Sequence, residues 1–337
     1  MSALPVWATA LGEPLFHARI RMTPAAFCVT ELCNIEFSGA GEHDFLWVEK
    51  RGQNTQWVAE QLALHGKVPV RDVGFAGMKD RHALTQQWFS VRRSGAVDWD
   101  AFSVAGVEIL RRQQHHRKLR RGAHAGNSFR IVVRAERLQP CASQVEQRLS
   151  AIAANGVPNY FGEQRFGRQG NNVDLSRRLF AGKRMSRGKR SIALSTARSL
   201  IFNAILQKRV QDETWYRILP GELANLDGSA SVFAVSEVSA ELVQRCAEQD
   251  IHPSGSLWGD GSPRAADEVA AIESAVAGHY LEFANGLVAA RMQPGSRALR
   301  LLAHKLHWQM EGDDLQLEFE LAKGGYATAV LRELATF

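Results

Sequence analysis

No stretch of the 337-residue sequence carries the roughly 20 consecutive apolar residues that a membrane-spanning helix requires. With a mean hydropathy of −0.22, that argues against a membrane span. The opening Met1-Ser-Ala-Leu-Pro-Val-Trp7 has no basic segment ahead of an apolar core, so no signal peptide is expected. Cysteine is scarce: the four residues Cys28, Cys33, Cys141 and Cys246 show no metal-type pairing. Reduced thiols in a cytoplasmic protein are the expectation. There is no P-loop, no His/Cys cluster and no dinucleotide fingerprint. A metal-dependent nuclease would want a carboxylate cluster, and a methyltransferase a Gly-rich nucleotide loop; neither stands out. Internal repeats and low-complexity tracts are missing as well.

What is present is an ordinary globular composition, 45% hydrophobic and 23% charged. The chain is long enough for two domains, or for one domain with a large insertion. The excess is positive: the net charge is +6 and the pI is near 9.3, values that fit a polyanionic partner. That charge is clustered. Arg111-Arg112 and Arg117-Lys118-Leu-Arg120-Arg121 make one block, with His115 and His116 between. Arg177-Arg178 and the run Lys183-Arg184-Met-Ser-Arg187-Gly-Lys189-Arg190 make another. Either block can be a solvated face; blocks this dense more often meet phosphate, where each cation displaces condensed counterions.

The densest chemistry lies in Gly74-Phe-Ala-Gly77-Met-Lys79-Asp80-Arg81-His82-Ala83-Leu-Thr85-Gln-Gln87. An apolar approach runs into two glycines and then into alternating charges. An aspartate flanked by lysine and arginine is held anionic, because positive charge favours the ionised form. Such a carboxylate suits a nucleophile or a base better than an acid. Spacing alone allows the plainer reading of a solvated surface turn.

Along the chain, Phe16, Ala18, Ile20 and Met22 alternate with polar residues and predict a half-buried strand. Phe27 to Glu31 predicts a second extended segment after Pro24. Phe45–Lys50 predicts another strand. A helix is expected over about 56–65, capped by Asn54 or Thr55 and ended by Gly66, with Trp57, Val58, Leu62 and Leu64 as its apolar surface. Val70 to Ala76 leads into the Asp80 loop, and strands are expected over 88–91 and 104–110, the last followed by the first basic block. Phe129, Ile131 and Val133 share one strand face, and by default Phe129 is core. Helical patterns cover 142–154 and 192–210. The runs 306–310 and 315–321 alternate around Glu311-Gly-Asp-Asp314 and predict a hairpin.

Five segments, in order, resemble the motifs of the TruD family of tRNA pseudouridine synthases. The central stretch matches G-x-K-D-x-x-A-x-T-x-Q as Gly77, Lys79, Asp80, Ala83, Thr85 and Gln87. The others are Gly126-Asn127-Ser-Phe129 with Arg134, Val157-Pro-Asn-Tyr-Phe-Gly-Glu-Gln-Arg165-Phe-Gly167, Gly325-Tyr326-Ala-Thr328 with Arg332-Glu333, and the segment from Arg21 to Glu31. The last departs from the family pattern: Arg21 stands at a lysine position, and Ala25-Ala26 replace an acidic pair.

The resemblance covers essentially the whole chain. It implies an α+β (mixed α/β) fold, with a catalytic domain built on a largely antiparallel sheet and a family-specific α/β insertion domain. The catalytic domain would be discontinuous, 1–152 and 301–337, with 153–300 inserted. It implies isomerisation of a flipped-out uridine, at position 13 of tRNA, with Asp80 as the catalytic carboxylate and Arg21 as its cation. Phe129 would stack on the uracil, and Phe27, Asn127 and Tyr326 would shape and read the pocket. Lys79, Arg117, Lys118, Arg120, Arg121 and Arg165 would contact RNA. The reaction breaks an N-glycosidic bond and rejoins the base through C5 with no net oxidation, so neither cofactor nor metal is expected. The expected partner is tRNA, with no membrane, and the expected state is a cytoplasmic monomer. Whether the carboxylate attacks the base, attacks the sugar or removes a ribose proton stays open at this level. A non-catalytic RNA-binding protein would explain the basic blocks and aromatics equally well, but would leave Asp80 without a purpose.

Overall fold

The computed structural model describes residues 5–337, and these divide into two compact units. One comprises Leu15–Glu146, Ala303–Gly325 and Ala335–Phe337. The other comprises the segment ending at Pro14, Gln147–Leu302 and Tyr326–Leu334. The fold is mixed α/β, and its large sheet is mainly antiparallel.

The first unit is built on that sheet. Its strands are β1 (Phe16–Arg19), β2 (Phe27–Leu32), β3 (His43–Arg51), β4 (Val73–Phe75), β5 (Leu84–Arg92), β6 (Val107–His115), β7 (Gly126–Ala135), β8 (His304–Glu311), β9 (Asp314–Ala322) and β10 (Ala335–Thr336). The main path runs β8-β9-β7-β2-β5-β3-β6. β4 adds to β5, and β1 bridges β7 and β10. The β2/β5 and β1/β10 pairings are parallel; the others are antiparallel.

The parallel pair positions the site. With Cys28 opposite Leu84 and Val29 opposite Thr85, the residues that precede each strand arrive at the same end of the sheet. Those residues are Arg21 to Ala26 and Lys79 to Ala83. Helix α1 (Thr55–His65) covers one face, burying Val58, Ala59, Leu62 and Ala63 against Leu46, Val48, Val73, Phe89 and Val91.

Local details depart from the sequence expectations. The first strand stops at Arg19, because Arg21 takes a left-handed backbone (φ 60°) and Thr23 then caps a short 3-10 turn over Pro24–Ala26. Leu64 is 75% exposed, so the apolar stripe of α1 runs through Ala59 and Ala63 instead. The helix ends at Gly66 in ordinary right-handed geometry (φ −73°), and Lys67 takes the positive φ. The strand expected over 104–110 runs on to His115, so Arg111 and Arg112 lie on it rather than after it. The hairpin forms as expected, β8 pairing β9 from Trp308/Leu317 to Glu311/Asp314, with Gly312 at φ 58°.

The second unit has a helical core. Helix α2 (Ala142–Asn155), which begins in the first unit and continues into this one, buries Val145, Leu149 and Ile152. Helices α3 (Asn171–Phe180) and α4 (Arg187–Gln211) follow. The central α4 carries Leu200, Ile201, Phe202, Ile205 and Leu206, packed with Phe166, Phe283 and Leu287. A small sheet joins Val232–Ala234, Leu223–Leu226 and Ile251–His252, and two short strand pairs lie nearby in sequence. Among the described residues, no helix is long and apolar enough to cross a membrane.

Candidate active site

Asp80 sits in the loop entering β5, with its side chain 22% exposed. Its two oxygens have different partners. Oδ2 accepts from Arg21 Nη2 at 2.8 Å, and Oδ1 accepts the backbone N–H of His82 at 3.0 Å. The second bond pins the carboxylate to its own turn. The first is a charge-assisted bond that orients it. The left-handed backbone of Arg21, uncommon for a residue with a Cβ, lies on the segment that carries its guanidinium to the carboxylate.

That guanidinium also lies over the Phe27 ring, 4.4 Å from its centroid. Phe27 meets Phe129 edge-on at 6.5 Å, and Phe129 stacks on Phe319 at 5.4 Å. A ladder of aromatic and cationic groups thus runs from Asp80 inward. Phe27 and Phe129 are 3% and 8% exposed. Asn127 lies two residues before Phe129 on β7; among the described residues its buried Oδ1 finds no hydrogen-bond donor, and the buried Nε of Arg21 finds no acceptor. Such orphaned polar atoms are uncommon in folded proteins.

The loop is held from beneath by groups that leave it little freedom. Gln87 donates to the Gly77 carbonyl (3.0 Å) and accepts from the Thr55 hydroxyl (3.2 Å), which itself accepts the Lys79 backbone N–H (3.0 Å). Lys79 does not face solvent. Its side chain is 4% exposed, its ammonium pairs with Glu31 at 3.0 Å, and the Glu31 side chain is completely covered. Glu31 also accepts from the Trp88 backbone and from the Cys33 thiol, whose pKa is pushed up to about 12 by burial and by that carboxylate. So Lys79 acts as an internal strut, and its charge is not presented to a polyanion.

Lys50 is the supporting residue that sequence reading passed over. It is fully buried on β3 and donates to the Asp80 carbonyl (2.9 Å) and the Gln53 carbonyl (2.8 Å). Burial pulls its pKa down to about 8, against the pull of the Asp80 charge. A signal existed: Leu46, Val48 and Lys50 share one strand phase, and a lysine in an inward phase needs a buried partner.

The basic loop after β6 is anchored by Leu119, which is 5% exposed and whose N–H donates to Ser90 Oγ (2.9 Å). A Cβ at Gly74 would overlap the Leu119 carbonyl, so only glycine lets β4 lie this close to the loop. Arg117, Lys118, Arg120 and Arg121 point outward around that anchor. Lys118 reaches the Arg71 carbonyl, and Arg121 lies 3.7 Å above the Phe75 ring. Arg165 and Tyr326 belong to the other unit, where the Arg165 guanidinium donates to the Tyr326 hydroxyl at 3.0 Å. Among the described residues, no group of three or more His, Cys, Asp or Glu side chains could hold a metal ion.

The sequence profile of the family described as tRNA pseudouridine synthase D (TruD) matches residues 9–186 and 180–334. A tRNA pseudouridine synthase D of Methylococcus capsulatus is 43% identical over 331 residues, covering 97% of this chain and 93% of the relative. One from Xanthomonas axonopodis pv. citri is 43% identical over 354 residues, covering 99% and 95%. Among solved structures, a TruD protein of Methanosarcina mazei superposes with a TM-score of 0.75 at 18% identity, covering 98% of this chain and 96% of that one, a likeness of fold. The chain belongs to the tRNA pseudouridine synthase D (TruD) family.

Proposed function

We propose that this protein is a tRNA pseudouridine synthase that isomerises uridine, at position 13, with Asp80 as its catalytic carboxylate. The observation that carries the reading is the Arg21–Asp80 pair at 2.8 Å, at the end of a parallel strand pair, in a motif that matches the family's. A partly exposed carboxylate, oriented by a guanidinium and by its own turn, is held in one position for a reacting base or sugar. The target uridine has to leave its stack, at a cost of a few kcal/mol offset by new contacts. Phe129 is the ring for that base to stack on, and the orphaned Asn127 oxygen is an acceptor suited to a uracil N–H. Phe27 shapes the site in this reading. Arg165 and the exposed cations of the 117–121 loop bind phosphate.

The discontinuous arrangement, with the catalytic part at 1–152 and 301–337 and an insertion at 153–300, belongs to the same proposal. The sheet unit carries Asp80, Arg21, Phe27, Asn127 and Phe129. The reading implies a cytoplasmic enzyme, as its substrate is cellular tRNA.

Asp80→Asn keeps the side-chain shape and removes the charge. We expect it to fold, to bind tRNA and to lose roughly 10²–10⁴-fold in rate. Tritium release from C5-labelled tRNA measures this directly, and turnover near the wild-type rate would refute the assignment.

A further inference from the structure

The second unit contains a concave site of whose lining the isomerase reading uses Arg165 alone. Its volume is about 410 Å³, within the roughly 300–1,000 Å³ of ligand pockets. One wall is a face of α4: Arg187, Arg190, Ser191, Leu194, Ser195 and Arg198 recur at three- and four-residue steps. Leu257 and Met292 add apolar surface, and Phe161, Arg165 and Ser199 complete the lining. Among the described residues, no carboxylate lines it.

Three features make this a place for an anion. Arg187 and Arg190 are exposed and, among the described residues, form no ion pair. Arg198 is held in place, its Nη2 donating to the carbonyls of Leu257 (2.9 Å) and Gln293 (3.1 Å), while its buried Nε has no acceptor among the described residues. The cations also stand at the wrong end of their helix. Residues 187–190 open a 25-residue helix whose first turn has no acidic residue and whose N-cap, Ser186, makes no side-chain cap. The helix dipole disfavours positive charge there and favours an anion. Helix stability alone would place acidic residues in that turn. An anion bound beside that turn reverses the sign, meeting the guanidinium groups and the positive end of the helix dipole.

We propose that this cavity seats a backbone phosphate of the RNA, held by Arg187, Arg190 and Arg198 with its sugar against Leu257 and Met292. The proposal rests on the reading that the chain acts on tRNA, and it adds a binding subsite within the second unit alone.

The test uses the full chain carrying Asp80→Asn, so that binding is measured without turnover. An unmodified tRNA transcript is titrated at several salt concentrations against this protein and against the same protein with Arg187→Gln and Arg190→Gln. We expect the slope of log K against log salt to fall by about one unit, since one phosphate loses its cations, with affinity at low salt reduced by about tenfold or more. The RNA-free melting temperature should stay level or rise, since two cations leave the positive end of a helix. That combination separates a ligand site from a structural one. An unchanged slope and affinity would overturn the proposal, and so would weaker binding accompanied by a lower melting temperature. The isomerase reading fails on a different measurement, tritium release by wild type and Asp80→Asn.

Discussion

The work of Asp80 depends on which group fixes it, and Arg21 is placed to do so at a cost in backbone conformation. A residue with a Cβ at φ 60° is strained by about 1–2 kcal/mol. Arg21→Lys keeps a cation at a position where the family has lysine, so substantial activity should remain. Arg21→Ala should lose far more, because Asp80 keeps only its bond to the His82 N–H. Arg21→Gly removes the same guanidinium and also the strain, so it should be as slow as Arg21→Ala while melting higher. Single-turnover rates at saturating tRNA take binding out of the comparison. An Arg21→Ala enzyme as fast as wild type would dissolve the pairing as a catalytic device. Arg21→Gly melting below Arg21→Ala would show that the strain is not real.

At the level of elements, the loop before β5 and the loop after β6 use their charges in opposite ways. In the first, Lys79 is buried against Glu31, so Glu31→Gln strands an ammonium in the interior. We expect a loss of about 3–5 kcal/mol, read as an earlier midpoint in urea; a loss well under 1 kcal/mol would mean that the pair is solvated. In the second, four cations surround the Leu119 anchor. Replacing Arg117, Lys118, Arg120 and Arg121 together should flatten the salt dependence of tRNA binding by roughly one unit per lost phosphate contact. An unchanged slope would make that loop a plain solvated face. The alternating runs of β7 and β9 were legible in the sequence because an apolar period of two, sustained along a whole segment, fits a strand with one buried face and does not fit a helix. The difference between Lys79 and Lys118 was not. Both sit among polar neighbours, and only the parallel β2/β5 pairing brings Glu31 over Lys79. Likewise Leu64 matches a helical spacing as well as Ala63 does, and only the position of the sheet decides which is covered. Arg21 was legible as a cation near the motif. Its left-handed backbone, set by the turn into Pro24, was not.

Across the whole molecule, the two units hold titrating groups whose shifts run in opposite directions. In the helical unit, burial raises Glu222 to about 7, against the pull of Arg209 at 2.9 Å. It raises Glu273 and Glu333 too, for the same first cause. A raised carboxyl binds its proton more tightly folded than unfolded, so this unit gains stability as pH falls from 7 toward 4.5. In the sheet unit, burial lowers His43 and His124, the latter with help from the Lys79 charge. A lowered imidazole prefers to fold neutral, so that unit loses stability as pH falls through 6.5. Lys50, lowered to about 8, acts in the same sense at higher pH: its contribution grows as pH rises from about 8 toward 10.5. Between pH 7 and pH 5 the units should therefore move apart. Hydrogen exchange, corrected for the intrinsic pH dependence of amide exchange, should show peptides of α4 better protected at pH 5 than at pH 7. Peptides of β3 and β7 should be less protected. Replacing Glu222 and Glu273 with glutamine should remove most of the first trend and leave the second untouched. Both units moving together, in either direction, would mean that these buried groups do not govern the pH response of the fold.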